Sequence, residues 1–206
     1  MIINQAVPEV VIETPSSDLA ATSVLSRARI TAVGGNVGIH RLSFVTTTST
    51  GVNVTNGYYR LASCNGCSGL SAGEVLTSTQ AAGTDIGAGI KVWSNSISSG
   101  THGKNYLGIA SGATAVIDFY ATVGLTSNPD SVSTSLLGDT ATTTNDLSGD
   151  PAAAFVATNQ GNFVWSDLNL DDSDSSAALT SKQWLNGYYV KGLGPNTTTT
   201  PVTVGE

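Results

Sequence analysis

The chain has 206 residues, a net charge of −7 and 40% hydrophobic residues, enough to bury a core in one generous domain without a metal or a staple. Lys and Glu occupy four positions each while Ser and Thr together number 52, a balance that speaks against helices and for pleated sheet. Between Lys104 and Lys182 there is no basic residue against nine aspartates, which excludes a phosphate backbone or an anionic membrane surface as partner of that half.

Residues 7–13 alternate around Val10 and Ile12 and stop at Pro15-Ser16-Ser17-Asp18. In 24–33, Val24, Ala28, Ile30 and Ala32 are expected inward, with Arg27, Arg29 and Thr31 outward. Gly34-Gly35-Asn36 reads as a turn, followed by a strand over 37–48 that carries Leu42 and Phe44 into the core. A strand over 52–61 bends at Asn56-Gly57. The run 86–93 alternates Ile86, Ala88, Ile90 and Val92 against Lys91 and Trp93. The clearest alternation is 113–123, where Ala115, Ile117, Phe119, Ala121 and Val123 face one way and Thr114, Asp118, Tyr120 and Thr122 the other. Residues 126–151 read as a long surface loop with room for a short strand or helical turn. Strands are expected again over 152–157, 162–168 and 183–193, and 194–206 reads as a linker-like tail. Eight to ten short strands predict a single domain over 1–206: an all-β, antiparallel two-sheet β-sandwich, immunoglobulin-like or jelly-roll-like, with Greek-key crossings.

Catalytic chemistry is not legible, and we expect no enzyme, cofactor or resident metal. Gly-x-Ser-x-Gly is absent, and Gly87-Ala88-Gly89 lies in a strand pattern rather than ahead of a helix. The acidic loop Asp167–Asp174 alternates oxygen ligands like a calcium loop, but Asp172 and Ala178 stand where an EF-hand needs Gly and Glu. Some other calcium site there is left open. Cys64-Asn65-Gly66-Cys67 reads as a turn closed by a disulfide rather than a redox pair, because no helix start follows it. His40 and His102 share no metal-ligand spacing. Asn53-Val54-Thr55 and Asn196-Thr197-Thr198 match the glycosylation acceptor pattern, which a Thr-rich chain produces by chance. Trp93, on the outer parity of its strand, is a candidate sugar-stacking platform. No apolar run is long enough to cross a bilayer as a helix.

The N-terminal segment carries the functional expectation. Residues 2–13 form an apolar strand at a free end, joined to the body by a Pro-Ser-Ser hinge. Such a strand pairs either with its own sheet or with a neighbour's exposed edge. Repeated head to tail, the second option builds a filament. Val7, Val10 and Ile12 would then be the assembly residues that fill the neighbour's pockets.

Phe163-Val164-Trp165-Ser166-Asp167-Leu168, followed by Trp184-Leu185-Asn186-Gly187-Tyr188-Tyr189-Val190-Lys191-Gly192-Leu193, resembles the C-terminal signature of β-sandwich domains in predicted surface proteins of small-genome candidate-phyla bacteria. Arg29-Ile30-Thr31-Ala32 and Leu42-Ser43-Phe44 resemble the early strands of the same domains. The resemblance implies an extracellular sandwich and little more. The free strand is similar in arrangement, though not in sequence, to donor-strand pilus subunits. The expectation is therefore a secreted structural subunit of a filament or surface layer whose partners are copies of itself. The alternative is a module that binds cell-surface glycans.

Overall fold

A strand alternates apolar and polar side chains when one of its faces is buried and the other wet, and this alternation organises the chain. The computed structural model describes residues 6–16, 18–67, 70–77, 83–97, 105–126, 129–141, 161–168, 184–188, 190–193 and 200–205. Every helix or strand among them is a strand: β1 (Val7–Glu13), β2 (Thr22–Val33), β3 (Val37–Thr48), β4 (Asn53–Cys67), β5 (Thr84–Gly87), β6 (Ile90–Ser96), β7 (Leu107–Gly124), β8 (Ser131–Leu136), β9 (Val164–Ser166), β10 (Leu185–Asn186) and β11 (Val202–Gly205).

All named ladders are antiparallel. In one layer β7 lies between β2 and β4, with β1 outside β2. In the other, β3 lies between β6 and β8, with β5 outside β6 and β11 outside β8. Strand β7 belongs to both layers. Leu107, Gly108 and Ile109 pair with β3, whereas residues from Thr114 onward pair with β2 and β4, and Ile109 also meets Cys67 of β4. A strand that changes sheets turns a corner; Gly112, at φ +74°, lies between its two pairings. The first half of β3 also pairs with β9, and β9 with β10. Just beyond β10 the Val10 N–H donates to the Lys191 carbonyl at 2.8 Å. The Phe-Val-Trp and Trp-Leu-Asn-Gly segments therefore curl the structure from β3 round to β1. The architecture is an all-β antiparallel sandwich, as the alternation predicts.

The inward positions form one core. Phe44 and Phe119 stack at 5.0 Å, and Tyr59 and Trp93 close on them from either sheet. Each such ring removed from water contributes about 2–3 kcal/mol. The polar ends are satisfied: Tyr59 Oη lies 2.6 Å from the Leu42 carbonyl and 3.1 Å from that of Trp93, and Trp93 Nε1 donates to Thr46 Oγ1 at 2.9 Å. The expected bend at Asn56-Gly57 has a packing reason. A Cβ on Gly57 would collide with Trp93 Cε3, so the indole lies directly on the β4 backbone.

Several sequence expectations are corrected. Residues 86–93 are not one strand but a β5–β6 hairpin turning at Ala88-Gly89. The turn inverts the expected parity: Trp93 is fully buried and Ile86 is 61% exposed. In β2 a bulge between Val24 and Ser26 moves Leu25 into the core in place of Val24. The loop expected over 126–151 does hold a short strand, β8, but it is not surface: Val132, Thr134 and Leu136 are all buried. The tail expected over 194–206 includes β11, which pairs with β8 and buries Val202 and Val204. Among the described residues of 183–193 only Leu185–Asn186 is a named strand, ahead of a turn in which the Val190 N–H donates to the Gly187 carbonyl. The strand expected over 152–157 lies outside the described residues.

Candidate functional site

The first strand is fully engaged within its own chain. All seven residues of β1 pair with β2, from Val7 with Val33 to Glu13 with Arg27. Val10 is buried, Ile12 is half-buried against the core, and Val7 faces the opposite way and is 41% exposed. Val7 therefore does not share a pocket-filling face with Val10 and Ile12; Pro8 takes that side instead. The outer edge of β1 is guarded as well. Val10 donates outward to Lys191, which puts Pro8 on the same edge, where it has no N–H to offer. Lys191 Nζ pairs with Glu9 at 2.9 Å beside it.

Cys64 and Cys67 are joined by a disulfide near the end of β4. The expected turn is absent: residues 64–67 all belong to β4, and Gly66, at φ +95°, sits at the register irregularity between Asn65 and Cys67. Trp93, the sequence candidate for sugar stacking, is covered completely and presents no platform. Of the acidic run only Asp167 belongs to the described residues. Among these, no cluster of three or more His, Cys, Asp or Glu has the arrangement of a metal site. His40 is buried, with its Nδ1 2.6 Å from the Asn105 carbonyl and its ring against Trp184.

Sequence reasoning missed Asp139, which ties the C-terminal segments together. Its fully buried carboxylate accepts the backbone N–H groups of Asn162, Phe163 and Gly187 at 2.8–3.0 Å. Burial pushes its pKa above the usual carboxylate range, and these donors offset only part of the rise. Around it, Trp165 Nε1 donates to the Asn186 carbonyl and Asn186 Nδ2 to that of Thr140. A Cβ on Gly187 would lie 2.8 Å from Phe163 and 3.0 Å from the carboxylate, so the Asn-Gly dipeptide here is required by close packing. The only signal in the sequence was one Asp near a Leu-Leu pair.

The two outer faces of the sandwich differ in chemistry. On the β1-β2-β7-β4 face the outward positions carry ion pairs. Arg27 binds Asp118 bidentately at 2.7 and 2.9 Å, and Arg29 binds Glu13 at 2.7 Å. Both guanidinium groups have raised pKa values, chiefly through those hydrogen bonds. Tyr58 and Tyr120 stack at 5.3 Å on the same face. On the β6-β3-β8-β11 face, Ile90, Thr47, Ser133 and Thr203 form one cross-strand row. Val92, Val45 and the buried Ser135 form the next, and Ser94 and the buried Ser43 a third. Ser43 Oγ and Ser94 Oγ are 2.8 Å apart, and Thr203 Oγ1 and Ser133 Oγ 3.3 Å. No charged side chain occurs in these rows; Arg41, at their margin, is buried with Nε on Ser96 Oγ.

No model of a known protein family matches the chain, and no curated protein matches it.

Proposed function

We propose that this chain is an extracellular structural subunit, packing with copies of itself into a filament or surface layer. The observation that carries this reading is the uncharged row structure on the β6-β3-β8-β11 face. Copies that each carry −7 repel one another. They meet at least electrostatic cost where neither presents a charge, and hydroxyls that already bond along the sheet need little desolvation. The Cys64–Cys67 disulfide and the Ser/Thr-rich, Lys-poor composition support a place outside the cell, as does the resemblance of the C-terminal segments to bacterial surface domains. Electron microscopy and sedimentation of the purified protein test the proposal. Fibres or sheets are expected, and they should vanish in Thr47→Lys/Thr203→Lys while the monomer keeps its circular dichroism. A wild-type protein that stays monomeric at high concentration would sink the reading.

Strand addition by the N-terminal segment is a second route to the same assembly. Because β1 is occupied within its own chain, this route requires exchange: β1 leaves its own β2 and rebuilds the same seven-residue ladder on a neighbour. A disulfide staple across the register pair Val11→Cys/Arg29→Cys holds β1 at home. If stapled protein still forms fibres, exchange is not the route.

A further inference from the structure

The geometry points to a self-formed covalent cross-link at the open end of the sandwich: an amide between the side chains of Lys91 and Asn53, assisted by Asp85. It stands apart from the packing proposal and uses neither outer face.

Lys91 occupies an inward position, on the same side of β6 as the buried Trp93 and Asn95. An inward lysine is unusual, and the chain has only four. Its stem is largely covered, with 18% of the side chain exposed. Nζ lies 3.1 Å from Asn53 Oδ1 and 2.8 Å from the Val54 carbonyl. Asp85, its register partner across the β5–β6 hairpin, holds Oδ1 3.9 Å away. Thus an amine, a primary amide and a carboxylate from β6, β4 and β5 converge on one cleft of about 350 Å³, lined also by Thr46, Thr48 and Gly89.

The step needs no oxidant and no cofactor. Asp85 takes a proton from Nζ, and the free amine attacks Asn53 Cγ, the carbon bonded to the oxygen it already contacts. The new Nζ–Cγ bond forms as Cγ–Nδ2 breaks; Asp85 passes its proton to the departing nitrogen, then takes the second proton that Nζ must shed to become a neutral amide and hands it to the ammonia, which leaves as ammonium. The cleft opens to solvent and lets it escape. The reaction happens once per molecule, so a slow step suffices when the partners are held together for the life of the fold. The product joins the two sheets covalently across their open end.

Intact-mass spectrometry of the folded full-length protein tests the inference. The expected mass lies below that of the disulfide form by one ammonia. Trypsin should release Leu42–Arg60 joined to Leu61–Lys104, with Lys91 uncut. Lys91→Arg should restore the full mass. Asn53→Asp should reach the same product by losing water, and Asp85→Asn should slow the loss at least tenfold. Full mass in the wild type overturns the inference, and so does added glycan mass at Asn53. Loss of ammonia that persists in Lys91→Arg also overturns it, because it would reflect backbone cyclisation at an Asn-Gly pair such as Asn65-Gly66.

Discussion

The β1-β2-β7-β4 face and the β6-β3-β8-β11 face cover the same core yet meet the solvent with opposite chemistry. The first gathers Glu9, Glu13, Arg27, Arg29, Arg60 and Asp118 around the Tyr58–Tyr120 pair. The second offers rows of Thr, Ser and Val in which Thr47, Ser94 and Thr203 are exposed while Ser43 and Ser135 are buried. The first face alternates along β2, whereas β3 is buried on both sides from Val37 to Phe44, so the open part of the second face lies toward the far end of β3. The difference shows that a low overall charge count can be arranged to leave one face neutral, and a neutral face is one along which like-charged copies can approach.

The comparison rests on one core serving both sheets, and the largest effects test that. Asp139→Ala leaves the buried N–H groups of Asn162, Phe163 and Gly187 without their acceptor. We expect a loss of about 4 kcal/mol in urea unfolding; a loss below about 1 kcal/mol would mean the C-terminal segments are not part of the cooperative unit. Gly57→Ala drives a methyl into Trp93 between the sheets and should cost about 3 kcal/mol, read from the same transition.

Alkali gives a third test. Burial raises the Tyr59 pKa well above its ordinary value of 10.0. The folded state therefore resists losing a proton that the unfolded chain gives up near that pH. This contribution is complete below about pH 10 and falls by about 1.4 kcal/mol per pH unit above it. Tyr59→Phe should unfold more easily at neutral pH yet show a shallower decline in alkali; an unchanged slope would show that Tyr59 is not sealed in the core.

The smallest effects compare the faces themselves. Asp118→Ala removes a carboxylate that is 5% exposed from an Arg27 that is 35% exposed and can turn to water. About 1–2 kcal/mol is expected, less than for a wholly buried pair. Ser133→Ala on the neutral face should stay within about 0.5 kcal/mol. If the two substitutions cost the same, the faces differ in appearance only.

Much of the fold was legible. The β7 alternation put Ala115, Ile117, Phe119, Ala121 and Val123 inside, and all five are buried. Leu42, Phe44 and the bend at Asn56-Gly57 were equally plain. Errors arose where a single residue resets the period. Gly89, at φ +69°, turns the chain between β5 and β6 and so inverts Trp93; the bulge beside Leu25 does the same in β2. Strand β8 is the short strand that the loop reading left room for, whereas β11 was read as tail because it is only four residues long and becomes a strand through its pairing with β8. The candidate site fared worse. Val7, Val10 and Ile12 were read as filling a neighbour's pockets, whereas Val10 and Ile12 pack against their own core and Val7 faces the other way; neither the pairing of β1 with its own β2 nor the contacts of Asp139 and Lys91 have a local signature.

The amino-acid order alone determined the class of this protein and most of its inward set, because a period of two is a property of neighbours along the chain. Tertiary structure alone decided which strand closes against which, where the charges collect, and that Asn53 and Lys91, 38 positions apart, share a hydrogen bond. Those outcomes depend on closing long loops around a shared core, and no short window of sequence contains that information.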